Sequence, residues 1–189
     1  MAIGITDLKK GVIFQYEGVP YRVIEYSQKV MGRGGSIVNV RIKSLLDGRV
    51  LDKTFKGSES LESADIETKT VQYLYEDGTT FFFMDGTTYE QFEISSDIIG
   101  ADKGYLKEGE SVQLMLFNGN AVSIELAKNV YLKVTYAEDV VKGDTTSNVM
   151  KDAELETGIT VKVPAFIKTG DIISVDTATG AYRERKKSE

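Results

Sequence analysis

Two short stretches hold residues whose types and spacing suit them to a chemical task. Met31-Gly32-Arg33-Gly34-Gly35-Ser36 sets one long cation among three glycines. Without Cβ atoms the backbone can turn through positive φ and the loop stays narrow. An arginine there offers a rigid fork of donors suited to phosphate. A flexible hairpin with a merely solvated arginine is the plain alternative, and the residues alone leave it open. The second stretch, Lys142-Gly143-Asp144-Thr145-Thr146-Ser147, opens a run to Thr157 with no obvious element. Connections of that length inside a compact domain are often functional, although a simple surface excursion reads equally well.

Other candidates carry less. Tyr73, Tyr75, Phe81, Phe82, Phe83, Tyr89 and Phe92 form an aromatic group that could stack bases on a barrel face. They lie in the most acidic third of the chain, where phosphate is repelled, so barrel core is the better expectation. The carboxylate pairs Glu76-Asp77 and Glu138-Asp139 adjoin turns or strand ends without a partner pattern. No phosphate loop, dinucleotide fingerprint or calcium loop is present, and Gly32-Arg33-Gly34 lacks a third glycine at the required spacing.

The missing residue types exclude whole classes of chemistry. Among 189 residues there is no Cys and no His. Ser-His-Asp and Cys-His catalysis, thiolate nucleophiles, disulfides and imidazole or thiolate zinc sites are therefore out. An enzyme would have to work with Asp, Glu, Lys, Tyr, Ser or Thr, and the expectation is that the chain is not one. No metal or other cofactor is expected.

The net charge of −6 is unevenly spread, at +2 over residues 1–66, −7 over 67–130 and −1 over 131–189. Arg22, Lys29, Arg33, Arg41, Lys43, Arg49, Lys53 and Lys56 face only three acids across 22–56, and Arg183, Arg185, Lys186 and Lys187 close the chain. A polyanion could be held at both ends while the acidic middle faces elsewhere; ordinary solvated strand faces would give the same count.

The elements that must position these groups read as strands. Segments 12–16 and 21–26 flank Glu17-Gly18 as a hairpin, and 38–42 alternates apolar with polar. Asp47-Gly48, Asp77-Gly78, Asp85-Gly86 and Asn118-Gly119 mark tight turns between apolar runs. Segments 71–75, 79–84, 87–92, 112–117, 121–126, 130–136, 159–163 and 171–176 complete the series, with single helical turns near 96–99 and 102–106. The chain is expected to be all-β, made of small barrels. The polar stretch Lys56–Asp65 and a break near Asn129 divide it into units of 1–66, 67–130 and 131–189, with no convincing internal repeat. The N-terminus places its charges after a short apolar run, unlike a signal peptide, and no stretch approaches the roughly 18 apolar residues of a membrane span. A cytoplasmic location is the expectation.

The third unit carries a specific likeness. Lys151, Ala153, Gly158, Val161, Val163, Pro164, Ile167 and Gly170, continued by Asp171, Val175, Asp176, Thr177, Gly180 and Tyr182, resemble the signature of the bacterial elongation factor P family. The opening hairpin, the Gly-flanked loop, Thr54-Phe55-Lys56, Tyr73-Leu74-Tyr75 and Gly143-Asp144-Thr145 follow in family order, so the resemblance spans the chain.

The resemblance implies an N-terminal SH3-like (KOW-type) domain and two OB-folds arranged in a tRNA-like L. It implies a monomeric translation factor that binds the ribosome between the peptidyl and exit tRNA sites and stimulates peptide-bond formation at consecutive prolines. By the same analogy Arg33, with Gly32 and Gly34, reaches the peptidyl-tRNA. Gly143, Asp144 and Thr145 approach the mRNA codon of the exit site, and Tyr182 and Arg185 touch RNA. Family members with lysine at the tip are lysine-modified, which Arg33 excludes; those with arginine are rhamnosylated, which leaves Arg33 as a candidate. The flank Met31-Gly32-Arg33-Gly34-Gly35 departs from both patterns. An elongation-factor-P-like paralogue and a general RNA-binding OB-fold protein are the alternatives.

Overall fold

A computed structural model describes residues 2–32, 35–57, 59–138 and 149–186. They form three separate antiparallel sheets. The first contains β1 (Ala2–Gly4), β2 (Ile13–Tyr16), β3 (Val19–Met31), β4 (Gly35–Ser44), β5 (Val50–Lys56) and β6 (Ser60–Ser63), in the order β1-β6-β2-β3-β4-β5. Its core is Ile5, Leu8, Phe14, Val23, Val38, Val40, Ile42 and Phe55. The turn between β2 and β3 is made by Glu17 and Gly18 at φ 51° and 79°, the left-handed pair that matches strand twist in a two-residue hairpin.

The second sheet contains β7 (Ile66–Glu76), β8 (Thr80–Met84), β9 (Gln91–Ser95), β10 (Ser111–Phe117) and β11 (Asn120–Glu125), ordered β11-β10-β7-β8-β9. Between β9 and β10 the chain makes α1 (Ser96–Ile99) and a 3₁₀ helix (Gly100–Tyr105). The third contains β12 (Asn129–Ala137), β13 (Met150–Leu155), β14 (Thr160–Pro164), β15 (Ile172–Asp176) and β16 (Tyr182–Arg185), ordered β14-β13-β12-β15-β16. Counted within each sheet, both orders are third, second, first, fourth, fifth. The outer strands approach one another, β9 with β11 and β14 with β16, so both sheets curl toward the closed five-stranded OB form. The all-β expectation of an SH3-like unit and two OB units holds, and a repeat of topology exists where the sequence shows none.

Several expectations need correction. The polar stretch 56–65, read only as the end of the first unit, contains strand β6, which pairs with both β1 and β2. The run from Lys142 to Thr157 is not one loop, because Met150–Leu155 is β13, paired on both sides. The strand read over 87–92 is displaced to Gln91–Ser95. Asp85 Oδ1 accepts from the Thr87 and Thr88 amides at 2.7 and 3.1 Å, and the left-handed residue is Tyr89 at φ 61°, not Gly86.

The aromatic group also divides. Tyr73, Phe81, Phe83 and Phe92 are buried core. Tyr75 and Phe82 stack on the outer surface with ring centroids 4.7 Å apart, and Tyr89 is exposed. Strands β1, β5, β6, β13 and β16 are not marked as strands by the sequence pattern.

Neighbouring sheets meet through built contacts. Leu45 of the first unit packs with Phe117 and Val122 of the second. Arg22 donates to Ser123 Oγ at 3.1 Å, and Lys43 donates to the Asp97 and Ile98 carbonyls at 3.2 and 3.3 Å.

Candidate functional site

The β3–β4 hairpin is the longest paired element, running from Tyr21↔Ser44 to Met31↔Gly35 with a one-residue register shift between Val23 and Glu25. Strand β5 stops beside it at Lys56, opposite Ile37. Beyond that point the arm is two-stranded, apart from Gly57 N donating to Ser36 O at 3.1 Å. Gly35 resumes β4 at φ 85°, a conformation that suits glycine. Gly32 has open space where a Cβ would lie, and Val30 is 78% exposed. Arg33 and Gly34 lie outside the described residues.

The two faces of the arm differ, as alternation requires. Inward, Val38 and Phe55 are buried. Outward, successive cross-strand rows are Glu25-Arg41-Asp52, Ser27-Asn39-Thr54 and Lys29-Ile37-Lys56. In the row farthest from the tip, Arg41 is held between Asp52 at 3.0 Å and Glu25 at 3.3 Å. Hydrogen bonding to Asp52, then its charge and that of Glu25, raise the guanidinium pKa further. In the middle row Thr54 Oγ1 and Asn39 Oδ1 are 2.7 Å apart. In the row nearest the tip, Lys29 and Lys56 are exposed and, among the described residues, enter no ion pair. The outer face thus passes from neutralised to cationic as it approaches Arg33. Sequence counting finds these cations but not their segregation, which only strand register reveals.

In the third sheet, Tyr182 and Arg185 are three residues apart and would face opposite ways on a regular strand. A bulge between Ser174 and Val175 pairs Tyr182 with Val175 and Arg185 with Ile173, two fully buried positions, so both share one face. Tyr182 packs on the third core, and burial raises its phenol pKa. Arg185 lies at the rim, 5.8 Å from the ring centre of the exposed Phe166 and 3.7 Å from Asp171. Beside it Lys186 sits 5.7 Å from the Tyr131 ring.

Gly143, Asp144 and Thr145 lie outside the described residues, but the residues that flank them, Glu138 just after β12 and Val149 before β13, are described. The buried Lys151 donates from Nζ to the Glu138 carbonyl at 2.5 Å. Across the base, Ala165 N donates to Val149 O at 3.0 Å. In the sequence Lys151 stands out only as part of the third-unit signature.

Among the described residues this arrangement holds no catalytic constellation. Asp102 is raised by burial, against the lowering influence of Arg22 and Lys43, and sits at a joint rather than beside a nucleophile. Among the described residues no cluster of three or more carboxylates could hold a metal ion, and no helix is long and apolar enough to cross a membrane. The geometry can present cations to a polyanion on a narrow arm, on a frame of three curled sheets.

Fold and surface together define a class: a protein of three small curled β units that presents cations on a narrow two-stranded arm. Three family models match in tandem, the elongation factor P KOW-like domain over 5–61, its OB domain over 66–124 and its C-terminal domain over 130–185. The chain is 41% identical over 181 residues to an elongation factor P of Nitratidesulfovibrio vulgaris, covering 96% of this chain and 98% of that one. It is 42% identical over 187 residues to that of Helicobacter hepaticus, covering 99% and 100%. A solved structure of eukaryotic translation initiation factor 5A from Methanococcus jannaschii superposes with a TM-score of 0.52 at 23% identity, covering 66% of this chain and 92% of that one, a likeness of fold. The chain belongs to the elongation factor P family, and is a translation factor rather than an enzyme.

Proposed function

We propose that the chain acts on the ribosome between the peptidyl and exit tRNA sites and speeds peptide-bond formation at consecutive prolines. It does so by holding the peptidyl-tRNA in place. The ribosome supplies the chemistry; the factor contributes orientation, which lowers a barrier without an acid, base or nucleophile. The observation that carries this reading is the β3–β4 arm, whose outer face ends in the Lys29-Ile37-Lys56 row below Arg33. Cations grouped there attract RNA phosphate with a strength that falls as salt rises.

In this reading the three units over 1–66, 67–130 and 131–189 span an L. Arg33, with Gly32 and Gly34, touches the peptidyl-tRNA, Gly143, Asp144 and Thr145 meet the exit-site codon, and Tyr182 and Arg185 contact RNA. The shared face and the rim position of Arg185 support the last assignment, with Tyr182 contributing mainly through packing. The protein works as a cytoplasmic monomer, with Arg33 either bare or rhamnosylated.

The test is translation of a reporter carrying three consecutive prolines in a reconstituted system, with recombinant wild type, native-host protein and Arg33→Ala. Relief of the stall by recombinant protein and its loss in the variant support a bare arginine. Relief by native-host protein alone supports a modified one. No relief from either preparation overturns the reading.

A further inference from the structure

We propose that Gly104 and Ile159 form a seat that fixes the third sheet against the second. The seat thereby sets the span between the β3–β4 arm and the β12–β13 connection. Its functional half rests on the reading above; its geometric half does not.

Gly104 is in the 3₁₀ helix that precedes β10, and Ile159 is in the turn between β13 and β14. A Cβ on Gly104 would stand 2.3 Å from Ile159 Cγ2, far inside the roughly 3.5–4 Å at which carbon atoms rest. Ile159 cannot easily turn away, because a β-branched side chain is stiff at χ1; its Cβ and Cδ1, at 3.7 and 3.8 Å from the same point, would be in ordinary contact, so the clash is with Cγ2 alone. Gly104 has no left-handed φ to protect, so the requirement for glycine there comes from the neighbouring unit and not from its own backbone.

Flanking residues lock the seat. Thr157 Oγ1 donates to the Gly104 carbonyl at 2.6 Å, and Lys107 Nζ lies 3.3 Å from Glu156 Oε1. Tyr105 packs against the third core beside Val130, Ile159 and Tyr182. Around the seat the two units are otherwise parted by an open groove of about 630 Å³, lined by Phe81, Lys103, Lys107 and Glu108 on one side and Glu156 and Ile159 on the other. Residues 104–107 therefore act as one latch, with Gly104 as its closest point of approach.

The chain has no cysteine, so spin labels at Glu93→Cys and Lys162→Cys report the distance between the two sheets cleanly. Against that background Gly104→Ala should shift or broaden the distance distribution, and Ile159→Ala should leave it near wild type. The double variant should restore it, because alanine at 159 removes Cγ2 and leaves Cβ at 3.7 Å. Stall relief on the triple-proline reporter should follow the same pattern, falling several-fold in Gly104→Ala and recovering in the double variant.

That recovery distinguishes a positional role from plain destabilisation, in which the cost of the added methyl and the cost of the lost isoleucine would add. An unchanged distribution in Gly104→Ala overturns the seat. A shifted distribution with full reporter activity overturns its role in setting the span. If wild type itself fails on the reporter, the translational reading falls, while the spin-label distances still decide the seat.

Discussion

Lys151 is a cation at an inward position of β13, only 8% exposed, whose Nζ reaches the Glu138 carbonyl at 2.5 Å. Glu138 is exposed, so water can replace the ammonium if it is removed. Lys151→Met keeps the length and apolar stem and deletes only the charged donor. A hydrogen bond from a charged group contributes about 1.5–3 kcal/mol, but burying the ammonium carries an opposing desolvation cost that methionine lacks. The two nearly cancel in global stability, so the melting temperature should move by no more than about 2 °C.

Locally there is no cancellation, because the strap across the loop stem is gone. Opening of the stem should become about ten- to a hundred-fold easier, at roughly 1.4 kcal/mol per factor of ten. Hydrogen exchange reads this at the Ala165 amide, which donates to Val149 O across the same base. The Val134 amide, bonded to Asp171 O, serves as the internal control. Exchange at Ala165 should accelerate and exchange at Val134 should not. Equal acceleration at both, or a melting temperature lower by 10 °C, would refute a strap and make Lys151 a general core element.

Two further expectations test the packing and electrostatics. Phe82 and Phe83 are adjacent but face opposite ways: Phe83→Ala should cost about 3–5 kcal/mol as a buried aromatic, and Phe82→Ala about 0.5–1.5 for its stack with Tyr75. Equal losses in denaturant unfolding would contradict the assigned faces. Asp176 is held down to about 2 by Arg183 first, with the Thr179 and Ala178 amides adding, whereas an unfolded aspartate titrates near 4. Its contribution to stability is complete above about pH 4 and disappears as pH falls toward 2, where the unfolded chain binds the extra proton. Asp176→Asn should flatten the acid limb of the stability curve across that window; an unaltered slope would show that other carboxylates set it.

What was legible in the sequence, and what was not, follows from how each element satisfies its backbone. Asn118-Gly119 gives a two-residue turn with both φ values positive, 51° and 79°, as the residue types suggest. Asp85-Gly86 misleads because the Asp85 side chain captures two amides and carries the turn on to Tyr89. Strand β13 is hidden because its inward positions are Lys151, Ala153 and Leu155: a buried lysine and a small alanine erase the alternation that marks a strand. Strand β6 hides differently, as a four-residue strand with one apolar side chain, Leu61, specified by pairing with β1 and β2 rather than by its own pattern. In the candidate site, residue types single out the Gly-flanked Arg33 as a candidate, whereas Arg185 becomes one only through the family resemblance. The bulge that brings Tyr182 and Arg185 to one face, and the register that collects Lys29 with Lys56, depend on pairing between strands distant in sequence.

The repeated sheet order explains both the missing sequence repeat and the joint between the last two units. Hydrogen-bond topology asks only for alternation and turns, and a core of the right volume can be filled in many ways. The middle unit fills its own with Tyr73, Phe81, Phe83 and Phe92. The last unit's buried cluster is entirely aliphatic, drawn from Val, Ile, Leu and Ala. A cluster of small side chains leaves its rim to be covered, and two of the groups that cover it, Tyr105 and Tyr182, are aromatic. Tyr182 belongs to the same sheet, but Tyr105 comes from the 3₁₀ helix of the preceding unit. The third unit therefore completes its packing with a residue of the second, which makes the seat at Gly104 part of the folding of the last domain as well as of its placement. The contacts that complete the packing of the last barrel are thus the same ones that hold it against the second unit.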